Sequence, residues 1–284
     1  MDAIAMNFSP CIVIPTYNNP ATIRAVVRRL MEVSPGTPIL VIDDHSGPEG
    51  EREVQALTSE GLVKSRRRAV NGGKGAAVRD GLFFARELGF THALQIDADG
   101  QHCFLDVPRF LEVSRRHPEA LVLGCPVYDA SAPKSRLTGR KISIFWTTAE
   151  TGFTRLIDDP LCGLRVYPVE AACASGTRSS RMEFDPEIAV RMAWAGVPLL
   201  NLPTRVRYLS ADEGGVSHFH PFRDNWMMSL MHTRLCLTLW WRMIRALFGR
   251  PRPAMSRIDL PEGDPLLLTS AMDDEAGALP QARK

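Results

Sequence analysis

Two acidic residues one position apart, Asp97 and Asp99, sit in the run Asp97-Ala98-Asp99-Gly100-Gln101-His102, directly after the apolar segment Ala93-Leu94-Gln95-Ile96. Carboxylate oxygens at this density, with a carboxamide and an imidazole behind them, suit a hard divalent cation such as Mg²⁺ or Mn²⁺. Such a cation bridges the phosphates of a nucleoside diphosphate and stabilises its departure. The competing reading is a solvated turn with an Asx cap. A second acidic pair, Asp43-Asp44, ends the run Ile39-Leu40-Val41-Ile42. There a carboxylate either accepts hydrogen bonds from a base or ribose, or caps a helix starting near Pro48. Between the two pairs lies Asn71-Gly72-Gly73-Lys74-Gly75, whose glycines let backbone N–H groups approach a phosphate at a helix N-terminus. The spacing is not that of a Walker loop, and no Gly-x-Gly-x-x-Gly follows the first apolar run, which argues against a nicotinamide enzyme.

These groups need a scaffold, and the surrounding pattern supplies one. Short Val/Ile-rich runs alternate with amphipathic stretches, the signature of βα units and a mainly parallel sheet. Cys11-Ile12-Val13-Ile14 reads as the first strand. Asn18 or Asn19 is expected to cap a helix that starts at Pro20 and runs through Ile23, Val26, Val27 and Leu30. Residues 39–42 form the second strand, 49–60 a helix, 62–64 a strand, 76–88 a helix and 91–96 a strand. Ligands of open α/β sheets bind at the carboxyl ends of strands, so two strands ending in acids mark one edge as the site. Further on, the pattern predicts a basic helix over 135–153, a strand pair over 163–167, a helix over 185–195, and a strand over 197–208 with a turn at Pro203.

In combination the motifs are recognisable. CIVIPTYNNP, VIDDHSGPEG, NGGKGAAVRDG, QIDADGQH and DDPLCGLRVYP, in this order, resemble a family 2 glycosyltransferase, in the branch similar to dolichyl-phosphate mannose and glucose synthases. The resemblance covers about residues 9–223. It implies a GT-A fold: a Rossmann-like α/β domain with a mixed, mainly parallel sheet flanked by helices. It implies a nucleoside site at Asp43 and Asp44, with Pro15, Tyr17, Asn18, Lys74, Gly75, Asp97 and Ala98 around the nucleotide sugar. It also implies a metal set of Asp97, Asp99 and Gln101, with His102 behind it, and Arg165 close to the chemistry. The rival class of sugar nucleotidyltransferases opens with a Gly-rich loop and a basic residue, unlike Pro15-Thr16-Tyr17-Asn18. A non-catalytic nucleotide-sugar-binding module is the second rival, weakened by the intact acidic set.

The acceptor side is less determined. Glu183 and Asp185, in Arg181-Met182-Glu183-Phe184-Asp185-Pro186, stand where similar enzymes carry the acid nearest the acceptor, and either is a candidate general base. Asp185 followed by Pro186 equally fits a helix N-cap. Lys134, Arg136, Arg140 and Lys141 are the wet face of a helix or contacts to an anionic acceptor. Ser217, His218 and Arg223 lie in a segment resembling a loop that closes over donor phosphates, with His218 where a basic residue is familiar. Lys64, Arg66, Arg67 and Arg68 are assigned a solvated or membrane-facing surface with no catalytic role.

Residues 9–224 are read as the catalytic domain. Residues 225–249 carry Trp226, Leu230, Leu237, Trp240 and Trp241 among arginines, the composition of an amphipathic helix lying in a membrane interface. Packing on the core or a homodimer through this helix is the alternative. Residues 250–284 are expected to be a disordered tail. The formal charge of +2 offers no global field for nucleic acid. The six cysteines form no Cys-x-x-Cys pair, and residues 1–10 hold no apolar run of signal-peptide length, so a reduced chain, peripherally bound to the cytoplasmic face of the inner membrane, is expected. The expected partners are a nucleoside diphosphate sugar and a lipid or lipid-linked acceptor.

Overall fold

The computed structural model describes residues 8–127, 134–206, 221–249 and 254–269, without the side chains of 134–137 and 221–222. The first half runs β1 (Pro10–Thr16), α1 (Ile23–Val33), β2 (Ile39–Asp43), α2 (Pro48–Ser59), β3 (Lys64–Arg67), α3 (Lys74–Glu87), β4 (His92–Gln95) and α4 (Val107–Arg116). The second half runs β5 (Leu121–Val127), α5 (Lys134–Glu150), β6 (Arg165–Pro168), α6 (Val169–Ala174), α7 (Phe184–Trp194), β7 (Leu199–Arg205), α8 (Pro221–Leu247) and β8 (Arg257–Ile258).

The eight strands form one sheet in the order β3-β2-β1-β4-β6-β5-β7-β8. All neighbours are parallel except β6, which is antiparallel to both β4 and β5. β1 and β2 are buried on both faces, which is why their Val/Ile runs are continuous and not alternating. From β1 the chain winds outward to β2 on one side and continues at β4 on the other. The carboxyl ends of β1 and β4 therefore flank a topological switch point, where a crevice for ligand forms.

Side chains of β1 divide between two cores. Cys11 and Val13 pack with α3, α6, α7 and α8, whereas Ile12 and Ile14 pack with α1, α2 and α4. Met231 and Leu235 of α8 are fully within the first core, so α8 is anchored to the domain along one side. No helix among the described residues is long and apolar enough to cross a membrane.

Four expectations are revised. The helix after β1 starts at Ile23, and Asn18 caps another element: with φ of 55° it accepts from Gly47 N at 2.8 Å, at the start of α2. Residues 163–167 contribute one strand, β6, not a pair. Pro203 does not turn the chain: it lies inside β7 opposite Cys125, and its outer side is free of ladder bonds because β8 covers only Leu199 and Leu200. The chain beyond 250 is folded in part. Residues 254–269 add β8 to the sheet, pack Ile258, Leu260, Leu266 and Leu267 on the second core, and receive a 2.6 Å bond from Arg109 to the Leu266 carbonyl.

Candidate active site

The carboxyl ends of β2 and β3 are joined by charge. Their register sets Asp43 opposite Arg67, and the Arg67 guanidinium bonds directly to the Asp43 carboxylate, whose other oxygen accepts from Ser46 N at 2.8 Å. Asp44 accepts from Arg68 at 2.6 Å and from the backbone N–H groups of Gly72 and Gly73 at 2.9 and 2.7 Å. Both acids are buried. The glycine loop is thus folded around the Asp44 carboxylate, and its N–H groups are spent there instead of cradling a phosphate. Gly73 has a φ of 92°, and a Cβ on it would come within 2.8 Å of the Ser180 carbonyl. At Gly75 a Cβ would meet that of Phe184 at 2.2 Å, so this glycine serves the contact of α3 with α7. Arg67 and Arg68, read from sequence as plain surface, are instead the partners of the nucleoside-side acids. The signal was present, since a parallel pairing of VIDD with KSRRR aligns opposite charges.

Lys74, the first residue of α3, leaves this loop and reaches the end of β4. Its Nζ lies 2.8 and 2.9 Å from the two oxygens of Asp97 and 3.2 Å from Asp185. Removal from water opposes its charge, yet Asp185 and Asp97 together hold the ammonium well above the usual lysine range. Burial likewise works against ionised Asp97, but Lys74 and His102 hold its carboxyl low. Asp99 is pushed up, first by removal from water and then by the Asp97 charge. Its Oδ1 accepts from Gln101 N at 3.0 Å, forming the Asx turn. His102 Nε2 stands 3.6 Å from Asp97, and its Nδ1 is buried without a partner. The loop is tied to β7 through a bridge between His102 and Val206. Ser217 and His218, beyond that point, lie outside the described residues.

Behind Lys74 a buried chain continues. Gln95 donates to Asp185 at 3.4 Å and accepts from the Tyr167 hydroxyl at 2.9 Å. Asp185 is not the cap of α7; it lies inside the first turn, and the cap position belongs to Glu183. Glu183 accepts from Ser180 N and Arg181 N at 3.2 and 3.3 Å. Arg165 is 0% exposed and donates to the carbonyls of Cys162, Pro160 and Asp185 at 2.8, 2.6 and 2.5 Å. It is a rivet beneath the site and does not present its guanidinium to a substrate. Gly163, which sequence reasoning passed over within Cys162-Gly163-Leu164-Arg165, lies against the site: a Cβ there would be 2.3 Å from Asp97 Oδ2 and 2.9 Å from Lys74 Nζ.

The remaining expected contacts are dispersed. Pro15 is buried in β1, Tyr17 is partly exposed just past its end, and the buried Ala98 uses its carbonyl to receive Thr22 Oγ1 at 2.8 Å. Arg140 of α5 is held by the buried Asp159 at 2.6 Å. The side chain of Arg136 is outside the described part of α5. Arg223 pairs with Asp224 at 3.1 Å on α8.

Among the described residues no three His, Cys, Asp or Glu side chains converge as a ready-made metal cage. The donor set at β4 nevertheless fits a hard cation of low protein-ligand count. Two carboxylates lie one residue apart, Asp99 is destabilised as an anion beside Asp97, and the charge that already answers them is Lys74. A cation held by one or two carboxylates takes its other ligands from substrate phosphates and water.

Residues 11–172 match the family described as Glycosyl transferase family 2. The chain belongs to this family. It is a glycosyltransferase with a GT-A fold that uses a nucleotide sugar. The chain is 27% identical to an undecaprenyl-phosphate mannosyltransferase of Micrococcus luteus over 201 residues, covering 67% of this chain and 80% of that one. It is 32% identical to a polyprenol monophosphomannose synthase of Mycolicibacterium smegmatis over 104 residues, covering 36% and 39%. Among solved structures, the glucosyl-3-phosphoglycerate synthase of Mycobacterium tuberculosis with UDP superposes with a TM-score of 0.60 at 17% identity, covering 81% and 80%. The same enzyme with Mn²⁺, UDP and phosphoglyceric acid gives 0.60 at 17% identity, covering 82% and 78%. The family match ends before Glu183 and α8.

Proposed function

We propose that this glycosyltransferase moves a hexose from a nucleoside diphosphate sugar onto a polyprenyl-phosphate-type lipid at a membrane surface. The observation that carries the acceptor class is the state of the two candidate bases. Asp185 is committed to Lys74 and Gln95, while Glu183 accepts the N–H groups of Ser180 and Arg181 on Oε1 and its partnerless Oε2 is enclosed away from solvent, so neither acid stands open to an entering hydroxyl. A hydroxyl attacks poorly unless a carboxylate takes its proton, whereas a lipid phosphate is already ionised near neutral pH and needs no base. The curated relatives named for undecaprenyl phosphate and polyprenol support the same class.

Asp97 and Asp99 would hold Mg²⁺ or Mn²⁺, with Gln101 and His102 beside them. The cation's contribution when bound is to neutralise the departing diphosphate. The residues of the chain do the rest. Asp43 and Asp44 fix Arg67, Arg68 and the glycine loop as the nucleoside-side wall, and Lys74 balances the charge of Asp97 and Asp185 beside it. Gly163 leaves room for the sugar-proximal carboxylate.

The membrane reading rests on two adjacent helices. Phe145 and Trp146 of α5 and Trp226, Leu237, Trp240 and Trp241 of α8 are exposed, while the opposite side of α8 is anchored by Met231 and Leu235. An apolar face with tryptophans on a helix fixed to a globular body suits shallow insertion in a bilayer interface.

The test is transfer of labelled hexose to three acceptors in phospholipid vesicles: a polyprenyl phosphate, the corresponding free polyprenol, and phosphoglyceric acid. Product is expected with the polyprenyl phosphate alone, from protein that floats with the vesicles. Equal transfer to the free alcohol would restore a protein base, and transfer to phosphoglyceric acid by protein that ignores vesicles would remove the lipid. Dimerisation without vesicle binding would make the α5–α8 face a subunit interface.

A further inference from the structure

Lys74 sits among the acids at the end of β4, in contact with Asp97 and Asp185. It opens α3, and an ammonium at a helix N-terminus faces the positive end of the helix dipole, an unfavourable position that the two acids must offset. Three carboxylates, Asp97, Asp99 and Asp185, gather at this end of β4 and α7, and Lys74 is the ammonium that bonds to two of them. Its side chain is 20% exposed, beside Asp97 at 22% and the more deeply buried Asp185 at 5%. Gly163 flanks it so closely that a Cβ would be 2.9 Å from Nζ. Lys74 already touches both acids, so a shift of its ammonium toward Asp185 needs no new partner.

We infer that Lys74 is a built-in counter-ion: it neutralises Asp97 while the site is without a divalent cation, and yields Asp97 by withdrawing onto Asp185 when the cation enters. The inference rests on the metal reading of Asp97 and Asp99. An ammonium touching both oxygens of Asp97 and a divalent ion on the same carboxylate repel each other strongly at such distances. Asp185 then has a defined role as the residue that receives the displaced lysine, which also accounts for a buried acid that is not free to act as a base. Lys74 acts through Asp97 and is a positioning residue. A resident ammonium keeps the acidic cluster folded without metal, and its presence weakens the metal site in proportion.

The experiment is Mn²⁺ binding to the full chain without donor, followed by the electron paramagnetic resonance signal of the free ion. Lys74→Met is expected to lower the Mn²⁺ dissociation constant about tenfold or more, because the competitor for Asp97 is gone. A loss of folding stability alone would not tighten the site. Unchanged or weaker binding in a folded Lys74→Met protein overturns the inference. The wild-type chain gives an independent readout: with ¹³C-labelled lysine, the Lys74 Cε resonance, identified by its absence in Lys74→Arg, is expected to shift on Mg²⁺ titration, and a resonance that does not move also overturns the inference. The metal reading fails separately if Asp99→Asn, made in the wild type and in Lys74→Met, leaves Mn²⁺ affinity unaltered in both.

Discussion

A Cβ on Gly163 would lie 2.3 Å from Oδ2 of Asp97, closer than any carbon tolerates, so the segment leading into β6 meets the acidic end of β4 at a distance where an added methyl group must displace the Asp97 carboxylate. Gly163→Ala must therefore push Asp97 out of line or part it from Lys74. Turnover is expected to fall by about 10²-fold, the cost of misplacing a reacting group by an ångström or so, with a much smaller change in melting temperature. Steady-state kinetics and a thermal melt on the same preparation measure both. Near wild-type turnover would show that Asp97 has slack the packing does not display.

Glu187 of α7 is fully buried and accepts from Ser179 N at 2.8 Å, Arg191 at 2.6 Å and Arg234 of α8 at 2.7 Å. Burial opposes its charge, but the Ser179 and Arg191 bonds outweigh it and hold the carboxyl below its ordinary value. Glu187→Gln leaves two arginines without their counter-ion and is expected to cost about 3–5 kcal/mol of stability, with α8 loosened first. Denaturant unfolding at neutral pH gives the cost. Because the folded value is depressed, the stabilisation is present above the unfolded carboxylate value and is lost as pH falls through the folded one. The variant should therefore approach the wild type in acid.

His92 supplies a pH dependence of the opposite chemical kind. Its Nε2 is 2.8 Å from the Pro118 carbonyl, which can only accept, so Nε2 carries the proton and Nδ1 receives the Thr91 hydroxyl at 2.9 Å. Burial lowers its proton affinity below the usual value, and the bond to Pro118 offsets this only in part. On acidification the unfolded chain takes up the proton first, so stability should fall as pH drops below about 6.5 and level off once the folded imidazole also titrates. Urea midpoints between pH 7.5 and 5 are expected to be flatter in His92→Gln than in the wild type. Parallel slopes would place the pH sensitivity elsewhere.

Much of this architecture is legible in residue order. Strands such as Ile39-Leu40-Val41-Ile42 announce themselves as apolar runs, and the acids that end them are local features. What was not legible depends on pairing across the fold. Asn18 caps α2 from 29 residues away, and Arg67 meets Asp43 through strand register. Neither relation leaves a mark in a local window. The segment 254–269 lacks periodicity because it contributes isolated apolar residues, Ile258, Leu260, Leu266 and Leu267, to a core built by others. Removing everything from residue 225 onward would therefore strip a sheet edge and part of the core together with the apolar face. Point substitutions at Trp240 and Trp241 are the cleaner probe of membrane contact.

In the proposed function, the acids at the end of β4 would hold a divalent cation that helps release a nucleoside diphosphate from its sugar. This role is tested most directly by nucleotide release from a panel of UDP- and GDP-hexoses by the full chain, with Mn²⁺ or Mg²⁺ and then with EDTA, for the wild type and Asp99→Asn. Release from a nucleotide hexose is expected that EDTA abolishes and metal restores, with Asp99→Asn slower by orders of magnitude at an unchanged melting temperature. Release that survives EDTA, or a folded Asp99→Asn protein working at close to the wild-type rate, would contradict it.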